Sequence, residues 1–112
     1  MRARRSNSWQ DDVELILLET ELRELHDDVL NTLQLMVEGF LEQGLELHAE
    51  FIVENFIQPM AEMKYHRVLV NVRKFNRQYN NFQTYSLLFV ESLRRLARYK
   101  MRLNKARRGR RG

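Results

Sequence analysis

The sequence predicts an all-α protein, a small helical bundle of three to five helices, and three observations carry that expectation. In 112 residues there are one proline and four glycines, two of the glycines within the last four positions, so little interrupts a helix. Apolar residues recur at steps of three and four along most of the chain. No pair of segments alternates convincingly as strands would, and a lone strand has nothing to pair with. A chain of this length forms one domain with one modest core.

The first element is carried by Leu15, Leu18, Leu22, Leu25, Val29, Leu33, Met36 and Phe40, which fall on one helical stripe. Ser8 with Asp11 three residues on is a near match to a capping box, so the helix is expected from about Trp9 to Phe40, roughly 48 Å long. Asp27-Asp28 offers an alternative start for a separate helix. Three-four spacing over nearly four heptads is also the coiled-coil pattern. The expected arrangement is therefore a homodimer with a coiled-coil-like seam of Leu15, Leu18, Leu22, Leu25, Val29 and Met36, a monomeric bundle being the alternative.

Further along, Glu38, Glu42, Glu46, Glu50 and Glu54 are spaced by four and would form an acidic ridge on an unbroken helix. Like charges at that spacing cost a few tenths of a kcal/mol per pair, so such a ridge calls for basic compensation or a basic protein partner. Leu41, Leu45, Ile52 and Phe56 supply the opposing apolar stripe. Gly44 is a candidate C-cap, and Pro59 is expected to end the next helix near Ile57.

Tyr65, Val68, Val72, Phe75 and Tyr79 return to helical spacing, although Val68, Val70 and Val72 interleave with Arg67, Asn71 and Arg73 in a strand-like way. Helix is the reading adopted. Asn80-Asn81 marks a turn, and a last helix starting near Thr84 carries Tyr85, Phe89, Leu93, Leu96, Tyr99 and Leu103. Residues 9–104 thus form the domain, with acidic helices over about 9–58 and basic ones over about 60–104. A basic flexible segment over 1–8 and a disordered arginine-rich tail over 105–112 are expected at its ends.

Charge is the most informative feature. Residues 10–63 hold fourteen acids and a single base, Arg23, a formal −13; residues 64–112 hold fifteen bases and a single acid, Glu91, a formal +14. The overall +4 conceals this division. On the last helix Arg94, Arg98, Arg102 and Lys105 fall opposite the apolar stripe, with Arg95 at its flank, and Arg107, Arg108, Arg110 and Arg111 prolong the face. Guanidinium forks suit a phosphate backbone, where each neutralised phosphate releases a counterion. Arg67, Arg73, Lys74 and Arg77 make a second basic group among Tyr65, Phe75 and Tyr79; rings beside arginines can stack unpaired bases, but at helical spacing they are more often core.

Chemistry of other kinds finds little support. Without cysteine there is no disulfide, thiolate metal site or cysteine nucleophile. His26, His48 and His66 lack the spacing that aims two ligands at one metal from a helix, and no glycine-rich phosphate loop or nucleophile elbow occurs. No enzyme, metal or cofactor is expected. The longest apolar runs, Leu15–Leu18 and Leu87–Val90, are four residues each, so a membrane partner is not expected and an intracellular location, nucleus or cytoplasm, is. The functional expectation is binding of RNA, duplex or structured, with DNA as the second polyanion. The alternative is a protein-protein adaptor whose glutamate ridge docks a basic partner while the arginine tail directs nuclear import.

Overall fold

The computed structural model describes residues 8–79 and 83–111, with side chains over 10–79 and 89–108. Among the described residues, five α-helices and one π-helical turn follow in order: α1, Ser8–Glu42; α2, Glu46–Ile52; the π turn, Val53–Ile57; α3, Gln58–Ala61; α4, Tyr65–Gln78; and α5, Gln83–Arg111. Since α2, the π turn and α3 run on without a break, they act as one rod, and four rods make the bundle. No strand occurs among the described residues; Val68–Val72 is helical, burying Val68 and Val72 while Val70 stays 51% exposed.

The expected stop at Gly44 is where α1 ends. Gly44 takes φ 75°, and its N–H donates to Leu41 O at 3.0 Å while the Leu45 N–H donates to Phe40 O at 2.8 Å. This is the Schellman arrangement, which satisfies carbonyls left over at a helix end. The break at Asp27-Asp28 does not occur; α1 passes through it.

Pro59 does not end a helix, contrary to the expectation from its missing N–H. It sits in the first turn of α3, one step past the π turn, where the Gln58 N–H bonds Val53 O five residues back. In a regular helix the N–H at position 59 would bond the Asn55 carbonyl. Proline cannot, and the side chain of buried Asn71 on α4 does so instead, Nδ2 to Asn55 O at 2.8 Å. A donor from another helix thereby lets the rod continue to Ala61. It then closes as α1 does, with Met63 at φ 59° and the Lys64 N–H on Pro59 O at 2.8 Å; Lys100 Nζ, from α5, donates to Met63 O at 2.8 Å.

Four rods meet on Leu33, Ile52, Phe56, Met60, Val68, Val72, Phe75, Leu93 and Leu96, all within 1% of complete burial. Each such aliphatic or aromatic side chain stabilises the fold by roughly 1.5–3 kcal/mol relative to exposure. Around Phe75 the rings of Phe51, Phe56 and Tyr79 gather at centroid distances of 4.9–5.8 Å. His48 lies against Tyr79 at 3.8 Å.

This core contains the residues expected to form a dimer seam, and that expectation is corrected. Leu22 and Val29 are 6% and 5% exposed, while Leu15, Leu18, Leu25 and Met36 are half-buried members of the same cluster. The stripe is covered by the chain's own helices, chiefly α5 and α2, so it is not free to meet a second copy.

The molecule measures 62 × 21 × 21 Å with a radius of gyration of 17.6 Å, against about 13 Å for a rounded domain of this length. Elongation comes from α1 and α5, 35 and 29 residues long and antiparallel, which outrun the shorter rods. Glu19, Leu22 and His26 of α1 border the same cleft as Arg107, Leu103 and Lys100 of α5. Beyond that cleft, the start of α1 and the end of α5 form a two-helix arm. The last helix stays helical through Arg111, so over 105–111 the expected irregular tail is instead a continuation of α5. Lys, Arg and Ala are strong helix formers, and the arm gives Arg107 a partner, Glu19 Oε1, at 2.9 Å.

Candidate nucleic-acid interface

The order of packing turns the charge division of the sequence into a division in space. α1 packs on α5 and α2, and α4 packs on α5 and the π turn, so the acidic helices adjoin on one side of the bundle and the basic helices on the other. On α5 the core positions Phe89, Leu93, Leu96 and Leu103 leave Arg94, Arg95, Arg98, Arg102, Lys105 and Arg108 exposed. On α4, burial of Tyr65, Val68, Val72 and Phe75 likewise turns Arg67, Arg73, Lys74 and Arg77 to solvent. Arg110 and Arg111 belong to the last turn of α5; their side chains lie outside the described residues.

Few of these cations are spent inside the fold. Among the described residues, Arg107 is the one α5 cation within 4 Å of a carboxylate, that of Glu19, with the two side chains 56% and 37% exposed. Such an exposed pair contributes little, typically below about 1 kcal/mol. Arg95 is tied differently: its Nη2 donates to the Tyr99 hydroxyl at 3.1 Å with the guanidinium carbon 5.9 Å from the ring centroid. That hydroxyl, with Glu21 and Glu91 acting from farther off, holds Arg95 even more firmly protonated than a free arginine. Arg94, Arg98, Arg102 and Lys105 have no ion-pair partner among the described residues.

Where α4 begins beside α5, Lys64, His66, Arg67 and Lys100 share an open groove of about 400 Å³ with Met101, itself 64% exposed. Two of these cations are engaged: Lys64 sits 2.8 Å from Glu62, holding that carboxyl below the usual carboxylate range, and Lys100 caps Met63. Rings are not offered to a ligand here. Tyr65 and Phe75 are 2% and 1% exposed and Tyr79 is stacked on His48, so these three rings belong to the core, as their helical spacing favoured, and do not form a base-stacking surface.

The continuous acidic ridge is also corrected. Glu38 and Glu42 end α1, the chain reverses at Gly44, Glu46 and Glu50 lie on α2, and Glu54 falls in the π turn, where the rotation per residue changes. All five are exposed, and among the described residues none is salt-bridged to a base. The glutamates form two short pairs and an outlier rather than one row, which removes most of the like-charge cost that an unbroken row would carry.

No group of three His, Asp or Glu side chains that could hold a metal occurs among the described residues. No described helix is long and apolar enough to cross a membrane. Comparison with protein-family models, with curated proteins and with solved structures finds no match for this chain.

Proposed function

We propose that this protein binds nucleic acid through the α4–α5 side, taking duplex or structured RNA first and duplex DNA second. One observation carries the reading: Arg94, Arg98 and Arg102 stand one helical turn apart on α5, exposed, with no carboxylate within ion-pair distance among the described residues. A cationic row that internal acids do not neutralise attracts a polyanion and releases its counterions. Among the described residues, shortage of exposed rings on this side favours the backbone of a duplex over unpaired bases, and contact with phosphates alone carries no sequence information. Catalysis is no part of the reading, and no cofactor enters it.

An electrophoretic shift series with duplex RNA, single-stranded RNA and duplex DNA at several salt concentrations tests it. With about six phosphates neutralised, the log-log slope of affinity against salt should lie near −4 to −5. Replacing Arg94, Arg98 and Arg102 together by glutamine should weaken binding at least tenfold while the thermal midpoint holds, because none of the three packs in the core. Undiminished affinity in that variant would refute the assignment.

A second reading is favoured by the exposed corner where α1 meets α2. Leu41 and Leu47, 52% and 70% exposed, stand among Glu38, Glu42, Glu46 and Glu50, a composition suited to a basic amphipathic partner. In that reading the terminal arginines serve nuclear import. Reversing Glu42, Glu46 and Glu50 to lysine and following capture of a basic helical peptide would separate it from the first.

A further inference from the structure

Arg23 is the one base among the fourteen acids of residues 10–63, and two ordinary partners, Glu19 and Asp27, flank it one helical turn away on either side. It pairs with neither. Among the described residues no carboxylate lies within ion-pair distance of Arg23, because Glu19 is taken by Arg107 of α5, 2.9 Å away, and Asp27 makes no bridge. Arg23 instead lines a cleft of about 410 Å³ between α1, α5 and the end of the second rod, a cleft that Lys100 and Arg107 also line. Among the described residues Glu19 is the one carboxylate on its walls, so three cations share the recess with a formal +2 left over.

These cations keep donors to spare. Lys100 Nζ places one of its three hydrogens on Met63 O, and Arg107 commits Nη2 to Glu19 while the rest of its fork stays available. The Asn104 amide adds a neutral donor on the α5 wall. Carbon surface lies beside the cationic heads: Leu22 and Leu103, 6% and 5% exposed, and half-buried Met63 line the same recess. Such a mixture selects a ligand with two parts, an anionic head for the guanidinium and ammonium groups and a compact apolar body. Charge then selects the head. A phosphate monoester carries about −2 at neutral pH and matches the recess, whereas a carboxylate or a sulfate ester brings a single charge.

We propose that this cleft binds an organic phosphate monoester, its phosphate held by Arg23, Lys100 and Arg107 and its apolar body laid against Leu22, Met63 and Leu103. The site does not rest on the nucleic-acid reading. Around α5, Lys100, Leu103 and Arg107 face the cleft, and Arg94, Arg98 and Arg102 stand about 100° or more away from them.

Isothermal titration of the full chain with phenyl phosphate tests the proposal, with inorganic phosphate as a head without a body and phenyl sulfate as the same shape with one charge fewer. Phenyl phosphate should bind once per chain, about tenfold or more tighter than either control. Arg23→Gln, at an exposed position, should weaken it by about tenfold with circular dichroism unchanged. Glu19→Gln, which removes the carboxylate from the wall, should tighten it. Amide resonances that move on titration should centre on Arg23, Ala61, Met63 and Leu103. In the variant with Arg94, Arg98 and Arg102 replaced by glutamine, affinity for phenyl phosphate should stay within about twofold of wild type, since those charges are distant and screened. Loss of RNA binding there with phenyl phosphate retained separates the two sites, and failure of RNA binding altogether counts against the proposed function alone. The cleft assignment would be overturned by absence of phenyl phosphate binding, by affinity no better than that of either control, by undiminished binding in Arg23→Gln, by weaker binding in Glu19→Gln, or by resonance shifts centred on the Arg94–Arg102 row.

Discussion

Asn71 is the residue on which the second rod depends, because its amide takes the place of an N–H that Pro59 lacks. Leucine at 71 would remove this donor from the Asn55 carbonyl, and the cost should be about 1–3 kcal/mol. Alanine at 59 would restore a backbone donor four residues beyond Asn55. In a Pro59→Ala background the cost of Asn71→Leu should therefore shrink by about 1 kcal/mol, and urea unfolding of the four proteins in the cycle measures it. Simple additivity would show that the two residues do not serve the same carbonyl. His26 and Tyr65 make a second polar contact, half-buried, Nδ1 to hydroxyl at 2.9 Å. Burial lowers the His26 pKa from 6.5, the nearby Asp27 charge opposing it, and burial pushes the Tyr65 phenol up to about 12. The phenol stays protonated and can donate to neutral imidazole. Above pH 6.5 both folded and unfolded chains hold His26 neutral, and its contribution to stability is complete. As pH falls below that value the unfolded chain protonates first, so stability declines until the folded-state pKa is passed. The urea midpoint should thus drop between about pH 7.5 and about pH 5, and less so in His26→Gln; an unchanged slope in the variant would place the effect elsewhere.

At the scale of helices, two glycines of α1 and its cap should respond in opposite directions. Gly39 lies inside α1 with ordinary φ, and a Cβ there would meet nothing within 4 Å. Gly39→Ala should raise stability by about 0.5–1 kcal/mol through helix propensity. Gly44 has equally open surroundings, but its φ of 75° belongs to the left-handed region. Gly44→Ala should cost about 1 kcal/mol from backbone strain with no steric share. Denaturant midpoints of the two variants should straddle the wild type. Met63 adopts the same conformation without being glycine, and its half-buried side chain and Lys100 on its carbonyl hold it there.

Across the whole molecule, the four-rod order places acidic neighbours together and basic neighbours together, and elongation adds an arm in which the two kinds touch. Exposed charges of the arm should matter little to stability. Glu19→Gln, which removes the partner of Arg107, should shift the unfolding free energy by less than about 1 kcal/mol.

Helical class, the stripe from Leu15 to Phe40, the stop at Gly44 and the exposed row Arg94–Arg98–Arg102 were all legible in the sequence, because each depends on spacing within one helix or on one residue's backbone freedom. Pro59 misled because its replacement donor, Asn71, comes from another helix, and no local pattern announces that Asn71 bonds the carbonyl of Asn55, sixteen residues before it. The glutamate ridge failed where the chain reversed and where the π turn changed the angular step. What covers a stripe is likewise not a local property: a leucine heptad reads the same against its own chain or another, and only packing decided that Leu22 and Val29 face inward while Val13, Ile16 and Leu17 face out. Periodicity determines which residues share a face; tertiary contact determines what that face meets.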